Sequence, residues 1–176
     1  MRIRSAALFT VDLPLADPFQ HASSGRIDAL NDIVLRLESE DGHVGYGEVR
    51  GNVHYTTGDS PGRVLAVLRD MLVPALLGMD ASSPCAAMER IEGIIVGNTS
   101  AKTVIDSALH DLLGKALGVP VHVLLGGRLH ESLLTHATLP FTTPEETKRR
   151  AADRLDKGFR ILKLRVGLKP IERDVE

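Results

Sequence analysis

Residues 160–167 read RILKLRVG, and this stretch decides how the second half of the chain folds. Side chains at positions i and i+2 of a β-strand point to the same face, so a strand here places Lys163 and Arg165 together. The stretch is short, partly β-branched and closed by Gly167, which favours a strand over a helix. The simplest interpretation of the two cations is a solvated strand face. Paired cations at the carboxyl end of a parallel strand can also bind and activate a carboxylate.

A helix and an earlier strand precede this stretch. The pattern predicts a strand from Leu133 to Phe141 and a helix that begins at Thr143 and runs to Lys157, with Gly158 as its cap. A strand, a helix of about a dozen residues and a second strand, joined by short connections, form a βαβ unit. Residues 129–176 are therefore predicted to be the first, incomplete part of a repeating β/α structure.

The first 128 residues are predicted to open with an antiparallel meander of three strands. A polar loop at residues 16–28, with Pro18 and Gly25 as breakers, separates the first two strands. The turn Glu40-Asp41-Gly42 separates the second strand from the third. The strands are predicted at residues 1–13, 31–38 and 44–49.

Three predicted helices complete this part of the chain. Ser-Pro pairs at residues 60–61 and 83–84 supply an N-cap and a first helical residue for two of them. The third helix begins at Ser100, carries a wide apolar stripe at helical spacing, and ends at Gly118 and Pro120. Residues 1–128 are thus predicted to form one α+β domain.

The composition is that of an ordinary globular protein. The 176 residues are 43% hydrophobic and 25% charged, with a net charge of −2, so no excess of basic residues favours nucleic acid or an anionic membrane. Aromatic residues make up 3%, too few for a base-stacking surface. The single cysteine, Cys85, excludes an internal disulfide and fits a reducing compartment. With no signal-peptide core and no apolar run of membrane-spanning length, we expect a cytoplasmic protein.

Four stretches carry a family resemblance. They are DGHVGYGE at residues 41–48, AKTVIDSALHDLLGK at 101–115, VPVHVLLGG at 119–127 and GFRILKLRVG at 158–167. No single stretch is decisive, but four in this order and spacing are strongly specific. The chain resembles the enolase superfamily, in its muconate-lactonising and mandelate-racemase-like branch, over essentially its whole length.

The resemblance implies an α+β capping domain at residues 1–128, followed by the first β/α units of a modified TIM barrel at 129–176. The family abstracts a proton alpha to a carboxylate and stabilises the enediolate on Mg²⁺. Its metal ligands come from the third, fourth and fifth barrel strands, so no metal ligand is assigned in this chain. Because a complete barrel needs about 250 residues, we expect the native protein to continue well past residue 176.

The second barrel strand of the family ends in Lys-x-Lys, where the first lysine neutralises the substrate carboxylate and the second is often an acid/base. Lys163 matches the first lysine, but Arg165 stands in place of the second. Arginine stays protonated at any ordinary pH, so Arg165 would be a poor base and a good fixed cation or donor to an oxyanion. This substitution weakens two-base racemisation and leaves one-base dehydration or cycloisomerisation open.

Two capping-domain loops, around residues 19–25 and 54–58, are expected by resemblance to close over the barrel mouth. Their hydroxyl and imidazole groups favour a polar or small substrate, although histidines in such loops are as often ordinary surface residues. The predicted substrate-binding residues are His21, Ser24, Tyr55, Thr56 and, near the end of the first barrel strand, Thr138.

The function implied is that of a Mg²⁺-dependent lyase or isomerase that acts on a small carboxylic acid, with Lys163 and Arg165 as catalytic residues. One alternative is a racemase or epimerase of amino-acid derivatives or dipeptides. A second is a relative that binds carboxylates without catalysis, which Arg165 favours. We expect a homo-oligomer with no nucleic-acid or membrane partner, and we expect residues 1–176 alone to be inactive.

Overall fold

The computed structural model describes residues 1–21, 25–50 and 54–167. The chain forms two compact units. The first contains Met1–Pro14 and Leu30–Arg128, and the second contains Leu15–Ala29 and Leu129–Glu176. The assignment of residues 1–128 and 129–176 to separate domains stays a prediction, and the grouping of Leu15–Ala29 with the later residues was not anticipated.

The antiparallel meander is present. Its strands are β1 (Ile3–His21), β2 (Gly25–Ser39) and β3 (Val44–Arg50), in the sheet order β1-β2-β3. Alternate side chains of β2 are buried, as the sequence predicts for a strand with one face on a core. These side chains are Ile33, Leu35 and Leu37.

The predicted polar loop at residues 16–28 is wrong. Strand β1 continues through Pro18 to His21, and β2 already begins at Gly25. Proline interrupts a central strand because it lacks an N–H group, but an edge strand has one side without a partner and tolerates it. Strand β1 is an edge of its sheet, so Pro18 is compatible with a strand that continues to His21.

The helices of the first unit agree with the three that were predicted, and two further single turns join them. The predicted first helix contains a π-helical turn at Leu68–Leu72 between α2 and α3. Within residues 1–21, 25–50 and 54–167, no helix combines the length and apolar character needed to cross a bilayer. The bounds are α1 His54–Thr57, α2 Pro61–Val67, α3 Val73–Leu76, α4 Pro84–Glu92, α5 Thr99–Leu117 and α6 Val121–Leu124.

Helix α5 lies directly on β3 and forms the centre of the core. Most of its apolar stripe is fully buried, including Val104, Ala108 and Leu112. Two glycines of β3 allow this approach, because a Cβ on Gly45 would lie 2.3 Å from the Ala108 carbonyl oxygen. A Cβ on Gly47 would lie 1.9 Å from the Val104 carbonyl oxygen. The strand and the helix backbone are therefore in contact with no side chain between them.

The second unit contains the predicted βαβ arrangement: β4 (Ala137–Leu139), α7 (Pro144–Asp156) and β5 (Leu162–Leu164), with the two strands parallel. Both strands are shorter than predicted because they pair over only three residues each. The Thr143 hydroxyl caps α7 by accepting a hydrogen bond from the Glu146 N–H at 3.3 Å. Gly158, at a φ of +91°, ends the helix in a conformation that favours glycine.

Candidate functional site

Thr138 and Lys163 lie side by side on one face of the parallel pair. They are register partners, while the preceding and following residues of β4, Ala137 and Leu139, are buried. Because side chains alternate along a strand, Thr138 points away from the buried face, and its partner Lys163 points the same way. We call the face that carries Thr138 and Lys163 the polar face.

Lys163 is exposed on the polar face. Its side chain has no hydrogen-bond or ion-pair partner among the residues that the structure describes. An exposed lysine ammonium that makes no ion pair within the described residues is accessible to an anion from outside. The structure thus places Lys163 on the polar face, and its role as a carboxylate-binding group stays a prediction.

Arg165 follows β5 directly, and an aromatic ring covers it. The carbon at the centre of its guanidinium group lies 5.5 Å from the centroid of the Phe19 ring, a cation–π distance. Its Nε is buried, and among the described residues no acceptor takes its hydrogen. The arginine thus lies against a ring, while its Nε–H has no acceptor in the part of the chain that the structure describes.

Asp17, two residues before Phe19 on β1, ties the same segment to α7. Its carboxylate accepts a hydrogen bond from Arg150 Nη1 at 2.7 Å and lies 3.6 Å from Arg154 Nη2. Residues i and i+2 of a strand share a face, so one face of β1 carries both Asp17 and Phe19. Sequence reasoning missed these contacts because it assigned residues 16–28 to a loop, and the spacing of Asp17 and Phe19 was the available signal.

Arg150 also belongs to a charge cluster at the first turns of α7. The Glu146 carboxylate accepts hydrogen bonds from the Arg149 Nη2 at 2.6 Å and from the Arg150 Nε at 2.8 Å. These guanidinium groups lower the pKa of the Glu146 carboxyl to about 2 from its ordinary value of 4.5. Arg150 therefore bridges two carboxylates, those of Glu146 and Asp17.

We expect acid to loosen the start of α7. The pKa of Glu146 is lower in the folded protein, so its contribution to stability is complete above about pH 4.5 and is lost as the pH falls towards 2. Hydrogen exchange of the α7 amides is measured at pH 5 and at pH 3. The ratio of the rate at pH 3 to the rate at pH 5 should be higher in the wild type than in Glu146→Gln, in which this titration is absent. The control is Glu145→Gln, since Glu145 makes no ion pair among the described residues, and it should behave like the wild type. Equal profiles for Glu146→Gln and the wild type would contradict this expectation.

The remaining predicted substrate contacts are only partly described. Ser24 lies outside the described residues, as do the side chains of His21 and Tyr55. Thr56 is exposed on α1 in the first unit, where the sequence predicted a loop over residues 54–58. That loop contains a single helical turn, which is too short to produce an apolar periodicity. The role of these residues in substrate binding stays a prediction.

The described part of the chain does not supply a magnesium site. Within it, no three His, Cys, Asp or Glu side chains converge in a way that could hold a metal ion. The two carboxylates of the second unit discussed above, Asp17 and Glu146, are occupied by arginines. The donor set of residues 1–21, 25–50 and 54–167 therefore does not fit Mg²⁺, and no step is assigned to a metal held by these residues.

The chain matches a known family model. Residues 3–126 match the model described as mandelate racemase / muconate lactonizing enzyme, N-terminal domain. This match covers most of the first unit, including the meander and the helices up to α6.

Curated relatives and a solved structure match both units. The chain is 32% identical to the L-Ala-D/L-Glu epimerase of Clostridium acetobutylicum, over 97% of this chain and 47% of the relative. It is 34% identical to muconate cycloisomerase 1 of Pseudomonas putida, over 98% of this chain and 47% of the relative. The crystal structure of the N-succinyl Arg/Lys racemase from Bacillus cereus superposes with a TM-score of 0.92 at 32% identity, over 99% of this chain and 47% of the other. The chain thus spans about half the length of the curated relatives it matches.

Proposed function

Because this chain belongs to the mandelate racemase / muconate lactonizing enzyme family, we propose that the protein abstracts a proton alpha to a carboxylate and passes through an enediolate. It would act as a lyase or isomerase on a small carboxylic acid. The observation that carries the proposal is the pair of cations at the end of β5. Lys163 is exposed and without a described acidic partner on the polar face, and Arg165 is held two residues further on.

Lys163 has the position and charge to bind the substrate carboxylate. Its ammonium group is a point charge with three donors, and the neighbouring Thr138 hydroxyl offers a further donor on the same face. Neutralising the carboxylate lowers the energy of the enediolate, in which a second negative charge develops on the same group. Lys163 therefore acts on the charge of the reacting group and Thr138 on its orientation.

Arg165 has a different task. An arginine side chain keeps its proton at ordinary pH, so it cannot accept the α-proton. Its guanidinium group can donate to an oxygen that becomes negative, and its contact with Phe19 restricts its motion. The base that removes the α-proton must then come from another part of the protein. When bound, Mg²⁺ would add Lewis-acid stabilisation of the enediolate, with ligands from outside the described residues.

Two other functions have an observation in their favour. The relatives include an epimerase, a racemase and a cycloisomerase, which keeps a racemase or epimerase of amino-acid derivatives or dipeptides as the second candidate. Arg165 counts against that candidate because two-base chemistry needs a proton acceptor on each face of the substrate. A non-catalytic carboxylate-binding relative is the third candidate, and Arg165 favours it.

We expect exchange of the α-proton in deuterated solvent. Protein from the complete natural gene, supplied with Mg²⁺, is incubated in D₂O with dipeptides, N-acylamino acids and muconolactone, and the α-proton signal is followed by NMR. Enzyme activity predicts loss of that signal for at least one compound, because the abstracted proton is replaced by deuterium.

The products separate the candidates. Deuterium in both stereoisomers identifies a racemase or epimerase, and a new alkene or lactone identifies one-base chemistry. Binding of a carboxylate with no exchange in any compound would overturn the enzymatic proposal and leave a binding protein. The matched control is Lys163→Ala, in which exchange should be slower than in the wild type by about 10²- to 10³-fold.

We also infer a cytoplasmic homo-oligomer that binds a small carboxylic acid and neither nucleic acid nor membrane. The balanced charge of −2 and the single, exposed Cys85 support this inference. The oligomeric part rests on family resemblance, and light scattering on the protein from the complete gene measures it directly.

A further inference from the structure

Phe19 lies over the Arg165 guanidinium in the second unit, and although the predicted loop at residues 19–25 includes Phe19, no role was predicted for its ring. We propose that Phe19 is a positioning residue: it fixes the Arg165 guanidinium so that the buried Nε–H donates a hydrogen bond to a carboxylate or enediolate oxygen of the substrate. This inference rests on the proposed function. It identifies the contact that allows an arginine to occupy the position where the family has a lysine.

The first support is the geometry of the pair. Both residues are half-buried, and the separation of 5.5 Å between guanidinium carbon and ring centroid is within the range of a cation–π contact. An arginine stem has several rotatable bonds, so a free guanidinium samples many positions. A ring across its face removes much of that freedom before the substrate arrives, which strengthens later hydrogen bonds by preorganisation.

The second support is the unused donor. Arg165 Nε is buried and has no acceptor among the described residues. Buried donors are almost always paired, and one that is not requires an explanation such as a missing ligand. On a cationic group the acceptor that fits best is an anionic oxygen.

The third support is the attachment of β1 close to Phe19. Asp17 accepts a hydrogen bond from Arg150 on α7 at 2.7 Å, and it lies on the same face of β1 as Phe19. Phe19 is thus placed by an ion pair two residues away as well as by its own contact. The strand that carries the ring is therefore attached to α7 two residues before Phe19, which supports a positioning role.

The test is ¹⁵N NMR of the arginine Nε–H groups in protein from the complete gene. The Arg165 signal is assigned by its loss in Arg165→Lys, and succinate is added as a carboxylate probe. In the wild type and in Phe19→Tyr, which keeps a ring, succinate should shift the Arg165 Nε–H downfield with similar affinity. In Phe19→Leu the succinate Kd should rise about 2- to 30-fold, and the Nε–H should exchange faster with water.

The control is Phe9→Leu, because Phe9 is an exposed ring on β1 in the first unit, and it should leave succinate binding unchanged. If Phe19→Leu does not fold, Phe19→Met removes the ring instead. Succinate binding in the ring-less variant equal to that of the wild type overturns the proposal, as does a wild-type Nε–H that succinate does not move. If no compound exchanges its α-proton but succinate still shifts the Arg165 Nε–H, only the proposed function is overturned.

Discussion

Replacing Gly47 with alanine is expected to lower the free energy of unfolding by at least about 3 kcal/mol, a large value for one methyl group. The added Cβ would lie 1.9 Å from the Val104 carbonyl oxygen and 2.9 Å from the Ala108 nitrogen. Both are backbone atoms of α5, so no side-chain rotation relieves the clash. The helix would have to move away from β3, and the buried residues of its apolar stripe would then lose their packing.

The matched control is Gly62→Ala. Gly62 is an exposed residue of α2, and nothing lies within 4 Å of the Cβ that it would gain. Alanine favours helix over glycine, so this variant should be as stable as the wild type or more stable by about 0.5–1 kcal/mol. Urea unfolding of both variants in protein from the complete gene provides the comparison. A urea midpoint for Gly47→Ala equal to that of the wild type would show that β3 and α5 are further apart than described.

The Lys163→Ala variant should lose catalysis and keep the fold. Under the proposed function, kcat/KM should fall by about 10²- to 10³-fold, the usual loss when one group that stabilises an oxyanion is removed. The thermal midpoint should stay near that of the wild type, because Lys163 is exposed and has no partner among the described residues. Lys163→Arg should recover part of the activity, since it restores the charge but not the compact ammonium group.

Lys157→Ala serves as the control for this prediction. Lys157 is an exposed lysine at the end of α7 whose ammonium lies 2.9 Å from the Asp153 carboxylate, a surface ion pair of small value. Its removal should change kcat/KM by less than about twofold, since surface substitutions away from a site have small effects. Wild-type turnover in Lys163→Ala would remove Lys163 from the proposed mechanism and leave carboxylate binding to other residues.

Local patterns were enough to predict most of the elements. The stripe of α5 and the alternation of Ile33, Leu35 and Leu37 both report burial of one face, because hydrophobic periodicity follows from backbone geometry alone. Caps at Thr143 and Gly158 mark the ends of α7 for the same local reason. The family was also recognisable from four short stretches, and residues 3–126 confirm it.

Within the candidate site, the local sequence pattern predicted where Lys163 and Arg165 lie, but it did not predict which residues surround them. The spacing of two residues puts both cations at one end of a strand, and the parallel register with Thr138 agrees with the βαβ pattern. The segment at 16–28 was assigned to a loop because proline and glycine usually break a strand. Proline is tolerated at the edge of a sheet, but whether β1 is an edge strand depends on the whole sheet and cannot be read from this segment.

The sequence by itself determined the α+β meander, the helices with the caps at Ser60, Thr143 and Gly158, the βαβ unit and the two cations at the end of β5. These features depend on residues that are near one another in the chain. Only the tertiary structure decided that Phe19 covers Arg165, that Asp17 pairs with Arg150, and that Gly45 and Gly47 admit the backbone of α5. Each of these contacts joins residues more than 50 positions apart, and no local periodicity carries information about which distant surface a side chain meets.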